Sequence, residues 1–194
     1  MCGIAGKIAI KGTLPEINNL QEALELLKNR GPDNRGLYLD ELVILGHTRL
    51  SVLDTSELAS QPFKDNDGNH IIIFNGEIFN FKELRDQLKK NGENFYSESD
   101  TEVLLALLKQ KGANGIKELN GFFAFVYYNK INQTILVARD RYGVKPLLYT
   151  INQDNLFVFA SEMKAMNAMG IVNEIDTTSL YTYLQLNYCL LYTS

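Results

Sequence analysis

The chain begins Met1-Cys2, and the small, mostly apolar run of residues 3–10 follows at once. Short apolar runs that contain β-branched residues are typical of strands, so the sequence predicts a strand that starts at the third residue. A chain terminus that is held in a sheet does not fray. The fold must therefore be built around its own N-terminus, with Cys2 in one defined position.

Cys2 becomes the N-terminal residue if Met1 is removed, a step that the small cysteine side chain favours. It then carries both a thiol and a free α-amine. A thiol of ordinary pKa is mostly protonated at pH 7 and profits from a base beside it, and an α-amine that titrates near pH ~8 can accept a proton there. These are the groups that an N-terminal nucleophile requires. A cysteine without function at the terminus is the alternative, which position alone leaves open.

Composition excludes several classes of protein. The 194 residues are 45% hydrophobic and 22% charged, which predicts a soluble globular chain of one domain, or of one domain and the start of another. A net charge of -4 with unclustered Lys and Arg residues argues against nucleic-acid binding and against an anionic membrane surface. No apolar run approaches the roughly 18 residues of a membrane span, and no signal peptide is recognisable. We therefore expect a cytoplasmic protein.

The two cysteines, Cys2 and Cys189, lie at opposite ends of the chain, and the sequence has only two histidines. This supply predicts neither a disulfide framework nor a metal site. We expect Cys189 to be inert.

Hydrophobic residues at helical spacing predict helices, and short β-branched or aromatic runs predict strands. The predicted helices cover residues 18–28, 79–90, 103–108, 161–166 and 177–187. The predicted strands cover residues 3–10, 37–39, 42–46, 70–74, 122–128, 134–139, 147–151 and 156–160. Because hairpins connect the strands of the back half, the pattern predicts an α+β fold with antiparallel sheets. The polar stretch 54–68 is expected to be a loop that covers a site.

Several polar residues fall at the ends of these elements, and each has an ordinary structural explanation. Arg49 ends a strand, where an arginine usually reaches to the surface but can also clamp a carboxylate with two hydrogen bonds. His47 could act as a base, although a structural histidine is the better interpretation. Ser99 and Asp100 precede a helix and suit an N-cap, or the Asp100 carboxylate pairs with an ammonium group.

Asn75-Gly76 follows the apolar run 70–74 and precedes a helical pattern, so the sequence places it at a strand-to-helix junction. In a hairpin, Asn-Gly would form a type I′ turn. At a junction, a backbone N–H and an amide side chain can point together into a cleft. That arrangement suits an oxyanion hole.

Taken together, these residues predict a site for a small amino acid whose side chain ends in an amide. Such a substrate needs a clamp for its α-carboxylate and a counter-charge for its α-ammonium, which Arg49 and Asp100 supply. It also needs an oxyanion pocket, from the Asn75 side chain and the Gly76 N–H, and a nucleophile with a base, from Cys2.

In this order the motifs resemble those of class II glutamine amidotransferases, and more closely those of the N-terminal glutaminase domain of glutamine-hydrolysing asparagine synthetases. The resemblance covers about residues 2–188. It rests on these motifs: Cys2-Gly3-Ile4, Arg30-Gly31-Pro32-Asp33, Arg49-Leu50-Ser51-Val52, Asn75-Gly76-Glu77, Ser99-Asp100, Arg139-Asp140-Arg141-Tyr142-Gly143-Val144-Lys145-Pro146-Leu147 and Ala160-Ser161-Glu162-Met163-Lys164-Ala165.

The resemblance implies an N-terminal nucleophile hydrolase fold, a four-layer αββα sandwich of two mostly antiparallel sheets. It implies that Cys2 attacks the side-chain amide of L-glutamine, that Asn75 and Gly76 hold the oxyanion, and that Arg49 and Asp100 bind the α-carboxylate and the α-ammonium. The pocket is completed, by the same resemblance, by Leu50, Ser51, Val52 and Glu77. It implies no cofactor for this domain.

The resemblance also implies a partner. Residues 2–175 would form the glutaminase domain, and residues 176–194 would begin a linker to a synthetase domain that uses ATP and Mg. The chain contains no Ser-Gly-Gly-x-Asp-Ser pyrophosphate loop, so we expect that domain to be missing. Residues 189–194 depart from the family pattern, which suggests a truncated or artefactual end. The oligomeric state is left open.

Three alternatives remain at this point. The domain could serve another amidotransferase of the same domain pair, such as one that amidates a cell-envelope sugar or forms a β-lactam. It could be a non-catalytic module, which predicts a damaged site, whereas each expected residue is present. A proteolytically processed hydrolase would need a propeptide, and only Met1 precedes Cys2.

Overall fold

The computed structural model describes residues 1–12, 18–171 and 174–187. Nine strands and five α-helices lie in these parts of the chain. The strands are β1 Gly3–Ala9, β2 Asn34–Leu39, β3 Val43–Arg49, β4 Phe63–Lys64, β5 His70–Ile78, β6 Gly121–Asn129, β7 Thr134–Arg139, β8 Leu148–Ile151 and β9 Leu156–Ala160. The α-helices are α1 Asn18–Leu26, α2 Phe81–Lys90, α3 Asp100–Lys111, α4 Met163–Ala168 and α5 Thr177–Leu186, and short 3-10 helices occupy Glu57–Ala59 and Gly112–Glu118.

The N-terminal strand β1 is the central strand of a five-stranded antiparallel sheet, in the order β2-β3-β1-β9-β8. It pairs with β3 on one side, where Gly3 lies opposite Thr48, and with β9 on the other, where Ala5 lies opposite Ala160. Cys2 therefore enters the sheet between the end of β3 and the end of β9. The expectation that the terminus is held in a sheet is confirmed.

The second sheet has four antiparallel strands in the order β4-β5-β6-β7. The long strand β5 pairs with β6 along its whole length, from His70 to Ile78. On its other side, β4 reaches only Ile71 and Ile72. The second half of β5 thus has a free edge, and the candidate site lies along it.

Three apolar clusters hold the layers together. The cluster between the two sheets includes Ile4, Leu45 and Ile73. A second cluster packs α2 and α3 on the outer face of β5 and β6, and a third packs α1 and α4 on the outer face of β1 and β9. Burying both faces of each sheet explains the continuous apolar runs of β5 and β6. The prediction of an α+β fold with two antiparallel sheets between helical layers is confirmed.

Two local predictions need correction. Asn75-Gly76 does not lie at a strand-to-helix junction, because β5 continues to Ile78 and α2 begins only at Phe81. Pairing with β6 as far as Gly121 keeps these residues extended, and no local sequence signal reveals that pairing. The stretch 54–68 is not all loop, because it contains one 3-10 helix and β4. The predictions for Cys189 and for residues 189–194 lie outside the described residues.

Candidate active site

A cavity of about 230 Å³ opens where the N-terminus, the end of β3, the free edge of β5 and the start of α3 meet. Eight of the nine predicted site residues line it: Cys2, Arg49, Leu50, Val52, Asn75, Gly76, Glu77 and Asp100. The ninth, Ser51, lies outside the lining, and its N–H donates to Asp33 Oδ2 at 2.7 Å. Residues that are distant in sequence therefore meet in one cleft. His47 is fully buried between the sheets and does not line the cavity.

The Cys2 thiol lies against the backbone of Leu50. Leu50 N–H donates to Cys2 Sγ at 3.4 Å, and Sγ lies 3.7 Å from the Leu50 carbonyl oxygen. Burial raises the pKa of the Cys2 thiol, although the Leu50 N–H, the terminal amine and the Arg49 guanidinium act in the opposite direction. The thiol is therefore protonated at neutral pH, and its use as a nucleophile requires a base.

The turn of residues 30–33 fastens Cys2 and the end of β3 to each other. Arg30 Nε donates to the Cys2 carbonyl at 2.9 Å, and its Nη1 pairs with Glu162 at 2.9 Å. A Cβ at Gly31 would lie 2.3 Å from the Thr48 carbonyl, so only glycine permits this close approach. Arg30 thus fixes the backbone of the candidate nucleophile.

Arg49 is nearly buried, and the loop that follows β3 wraps around its guanidinium. Its Nη1 donates to the Ser56 carbonyl at 2.8 Å, and its Nη2 donates to the Asp54 carbonyl. Asp54 in turn accepts the Glu98 N–H at 2.9 Å and so joins this loop to the segment before α3. A guanidinium has five N–H donors. Two of them serve these loop carbonyls, and Arg49 also lines the cavity.

The free edge of β5 presents a row of backbone groups to the cavity. The N–H of Phe74 donates to Gln61 Oε1 at 2.6 Å, and the N–H of Ile78 donates to Asp100 Oδ2 at 3.0 Å. Both groups therefore point away from β6. Because backbone groups alternate in direction along a strand, the N–H of Gly76 points to the same free edge. It lies midway between the two capped positions.

Asn75 places a second donor beside the Gly76 N–H. The residue is 1% exposed and lines the cavity. Among the described residues, its side-chain Nδ2 has no hydrogen-bond partner. A buried N–H without a partner costs about 1–3 kcal/mol, and such groups in native structures call for an explanation. A ligand oxygen in the cavity would satisfy it.

Asp100 is the first residue of α3, and Ser99 is its N-cap, with Ser99 Oγ accepting the Thr101 N–H at 3.1 Å. The N-cap interpretation is therefore confirmed for Ser99. Asp100 lines the cavity, and its pairing with an ammonium group stays a prediction. Burial raises the pKa of Asp100 to about 6 against its backbone hydrogen bonds, and the charge of Glu77 adds to the rise. A carboxylate held in this way gains most from a cationic partner.

Among the residues that line the cavity and that sequence reasoning did not assign to the site are Gln61, Thr101 and Lys145. Gln61 comes from the polar stretch 54–68, where no local signal separates it from its neighbours. Lys145 comes from the charged connection after β7, which the Asp140 carboxylate folds by accepting the N–H groups of Tyr142, Val144 and Lys145. This arrangement of several backbone N–H groups around one carboxylate depends on the fold and has no signal in the sequence.

The described parts of the chain are residues 1–12, 18–171 and 174–187. Within them, no cluster of three or more His, Cys, Asp or Glu residues could hold a metal ion. Within them, no helix is long and apolar enough to cross a membrane.

Comparison with known proteins now identifies the family. Residues 1–193 match the glutamine amidotransferase domain. The chain belongs to this family of class II glutamine amidotransferases. One relative is asparagine synthetase [glutamine-hydrolyzing] 1 of Bacillus subtilis, which is 38% identical over 191 residues, or 97% of this chain and 30% of that protein.

Other relatives of this amidotransferase domain carry other names. Amidase chry2 of Gibberella zeae is 38% identical over 192 residues, or 93% of this chain and 28% of that protein. The chain thus spans less than a third of the length of either relative.

Among solved structures, glutamine phosphoribosylpyrophosphate amidotransferase of B. subtilis superposes with a TM-score of 0.70 and 26% identity, over 87% of this chain and 44% of that one. The N-terminal nucleophile hydrolase fold is confirmed.

Proposed function

We propose that this glutamine amidotransferase domain hydrolyses the side-chain amide of L-glutamine through a thioester on Cys2. The observation that carries the proposal is one cavity lined by three residues: Cys2, Asn75 with its buried Nδ2 that has no partner among the described residues, and Gly76 with its N–H on the free edge of β5. Two donors that converge next to a nucleophile fit the oxyanion of a tetrahedral intermediate.

The reaction begins with proton transfer. Once Met1 is removed, the α-amine of Cys2 takes the thiol proton, directly or through water, and Sγ attacks the amide carbon of glutamine. The carbonyl π electrons move to oxygen, and Asn75 Nδ2 and Gly76 N–H stabilise the oxyanion by roughly 3 kcal/mol each. The α-amine then returns the proton to the leaving nitrogen, and ammonia departs.

Water completes the cycle. The α-amine accepts a proton from water as its oxygen attacks the thioester carbon, and the same two donors hold the second oxyanion. The C–S bond breaks, the proton returns to the thiol, and glutamate is released. The raised pKa of the thiol makes it a base-dependent nucleophile, so both halves of the cycle need the free amine.

Substrate recognition follows from charge. The Arg49 guanidinium suits the α-carboxylate, and the Asp100 carboxylate suits the α-ammonium. Leu50, Val52 and Glu77, which line the cavity, complete the pocket. Neither half of the reaction requires a cofactor.

The chain spans less than a third of the length of these relatives, so the ammonia acceptor is proposed from the names that they carry. Relatives named asparagine synthetase favour asparagine synthesis, for which the resemblance implies a partner domain that uses ATP and Mg. The equally similar amidase favours a different acceptor as the second candidate. A non-catalytic module is disfavoured, because the thiol, both donors and both charged residues meet in one cavity.

Intact mass after incubation with 6-diazo-5-oxo-norleucine tests the glutaminase. We expect loss of Met1 and one adduct that maps to Cys2, together with release of ammonia from glutamine by the untreated protein. A protein with Met1 removed that neither reacts nor releases ammonia would overturn the proposal. Retention of Met1 should abolish both reactions, because the amine is then part of a peptide bond.

A further inference from the structure

Gln61 lies between the free edge of β5 and the start of α3, and both ends of its side chain are used. Its Oε1 accepts the Phe74 N–H at 2.6 Å, and its Nε2 donates to Thr101 Oγ1 at 3.2 Å. The residue is 8% exposed and lines the same cavity as Cys2.

The position of Gln61 follows from where β4 begins, at Phe63 opposite Ile72. β4 pairs with Ile72 but extends no further along β5, so the next edge N–H, that of Phe74, has no strand partner. A buried N–H must find an acceptor, and the Gln61 amide supplies it. The side chain therefore takes the place of the missing part of a strand.

On the other side of Gly76, the Asp100 carboxylate does the same for Ile78. The strand edge is thus capped at residues 74 and 78, and residue 76 is left open between them. Both caps come from the region of α3, because Thr101 anchors Gln61 and Asp100 begins the helix. The open donor of Gly76 is held between two fixed points.

We propose that Gln61 is a positioning residue for the oxyanion donors of Asn75 and Gly76. It sets the direction of the β5 backbone one residue before Asn75, and α3 holds it in place through Thr101. Oxyanion donors act only when they are held within about 0.5 Å of the productive geometry. Gln61 touches neither the thiol nor the reacting atoms in this role, and the inference rests on the proposed glutaminase reaction.

Gln61→Met tests the proposal, because methionine fills a similar volume without hydrogen-bonding to Phe74 or Thr101. We expect kcat for glutamine to fall about 10–100-fold, as for a misplacement of about 1 Å, and KM to change less than about threefold. Affinity for the γ-aldehyde analogue of glutamine, which forms a tetrahedral adduct with the thiol, should fall in parallel with kcat. Affinity for glutamate should stay the same.

Two further variants sharpen the test. Thr101→Val removes only the hydroxyl that holds Gln61 Nε2, so kcat should fall less, and its effect should largely disappear in the double variant with Gln61→Met. If Gln61→Met does not fold, Thr101→Val alone carries the test by the same readouts. The matched control is Gln87→Met on the exposed face of α2, which should leave kcat and KM unchanged.

The outcomes separate this inference from the proposed function. A wild-type protein that hydrolyses glutamine, with unchanged kcat in Gln61→Met, would overturn the positioning role alone. A rise in KM at constant kcat would also overturn it, because Gln61 would then act on substrate binding. A wild-type protein that lacks Met1 and shows no hydrolysis and no Cys2 adduct would overturn both.

Discussion

Replacement of Asp100 by asparagine should make the domain more stable and its glutamine site worse. Asp100 is 5% exposed, and burial raises its pKa from an ordinary 3.8 to about 6. A rise of this size means that the fold prefers the protonated carboxyl by about 3 kcal/mol. Above pH 6 the folded protein nevertheless carries the charge, so ionised Asp100 opposes folding.

The direction with pH follows from linkage. The folded state binds the Asp100 proton more tightly than the unfolded state, so wild-type stability falls as pH rises from 3.8 to about 6. Asparagine has no such charge and can keep the acceptor for the Ile78 N–H. We expect Asp100→Asn to gain about 1–3 kcal/mol at pH 7.5. The gain should shrink as pH falls toward 4.5.

Urea unfolding of both proteins between pH 4.5 and 7.5 measures this difference, with exposed Asp86→Asn as the control that should show no gain. In the same buffers, KM for glutamine should rise about 30-fold or more at pH 7.5, because the α-ammonium loses its partner. Wild-type KM should itself rise below about pH 6, as Asp100 becomes protonated. A variant that is less stable at every pH would refute the reasoning, because the hydrogen bonds of the carboxylate would then outweigh its burial.

Three other substitutions test the remaining roles. Cys2→Ala should abolish hydrolysis with the urea midpoint unchanged, and ammonia release by the purified variant would remove Cys2 as the nucleophile. Arg49→Ala should raise KM for glutamine about 100-fold, because the carboxylate clamp and the loop contacts at Asp54 are lost. Arg49→Lys should restore little of the affinity, because an ammonium lacks the planar, two-pronged donor geometry of a guanidinium. An unchanged KM would exclude the clamp. Gly76→Ala should lower kcat about 100-fold, because its Cβ would lie 2.5 Å from both the Phe122 carbonyl oxygen and the Phe74 ring. Steady-state kinetics decide the last two, and full activity in Gly76→Ala would argue against the edge geometry.

Local period and composition predicted an α+β fold with antiparallel sheets, and the family resemblance implied that the sheets are two. Strands β7 and β9 have the predicted bounds, and α1, β1 and α5 differ from the prediction by one or two residues. The prediction failed where pairing decides the structure. Asn75-Gly76 has the composition of a turn, and only the ladder with β6 keeps it extended.

The candidate site was predicted to the extent that its side chains are chemically complementary to an amino-acid substrate. Cys2, Arg49, Asn75 and Asp100 were chosen for charge, nucleophilicity and hydrogen bonding, and all four line one cavity. Gln61 was not found, because its role depends on where β4 begins. A side chain can substitute for a strand only where the neighbouring strand of the same sheet is missing, and the sequence does not show where that happens.

The central position of β1 has a consequence for folding during synthesis on the ribosome. The strand β1, which directly follows Cys2, leaves the ribosome long before its neighbour β9, which ends at residue 160. Arg30, which donates to the Cys2 carbonyl, also donates to Glu162, two residues after the end of β9. Contacts between such distant parts of a chain close late, because the intervening loop must first be brought together. The Cys2 thiol therefore reaches its place in the site only after nearly the whole domain has emerged from the ribosome. Glutamine hydrolysis is then expected only once the domain has been synthesised and has folded.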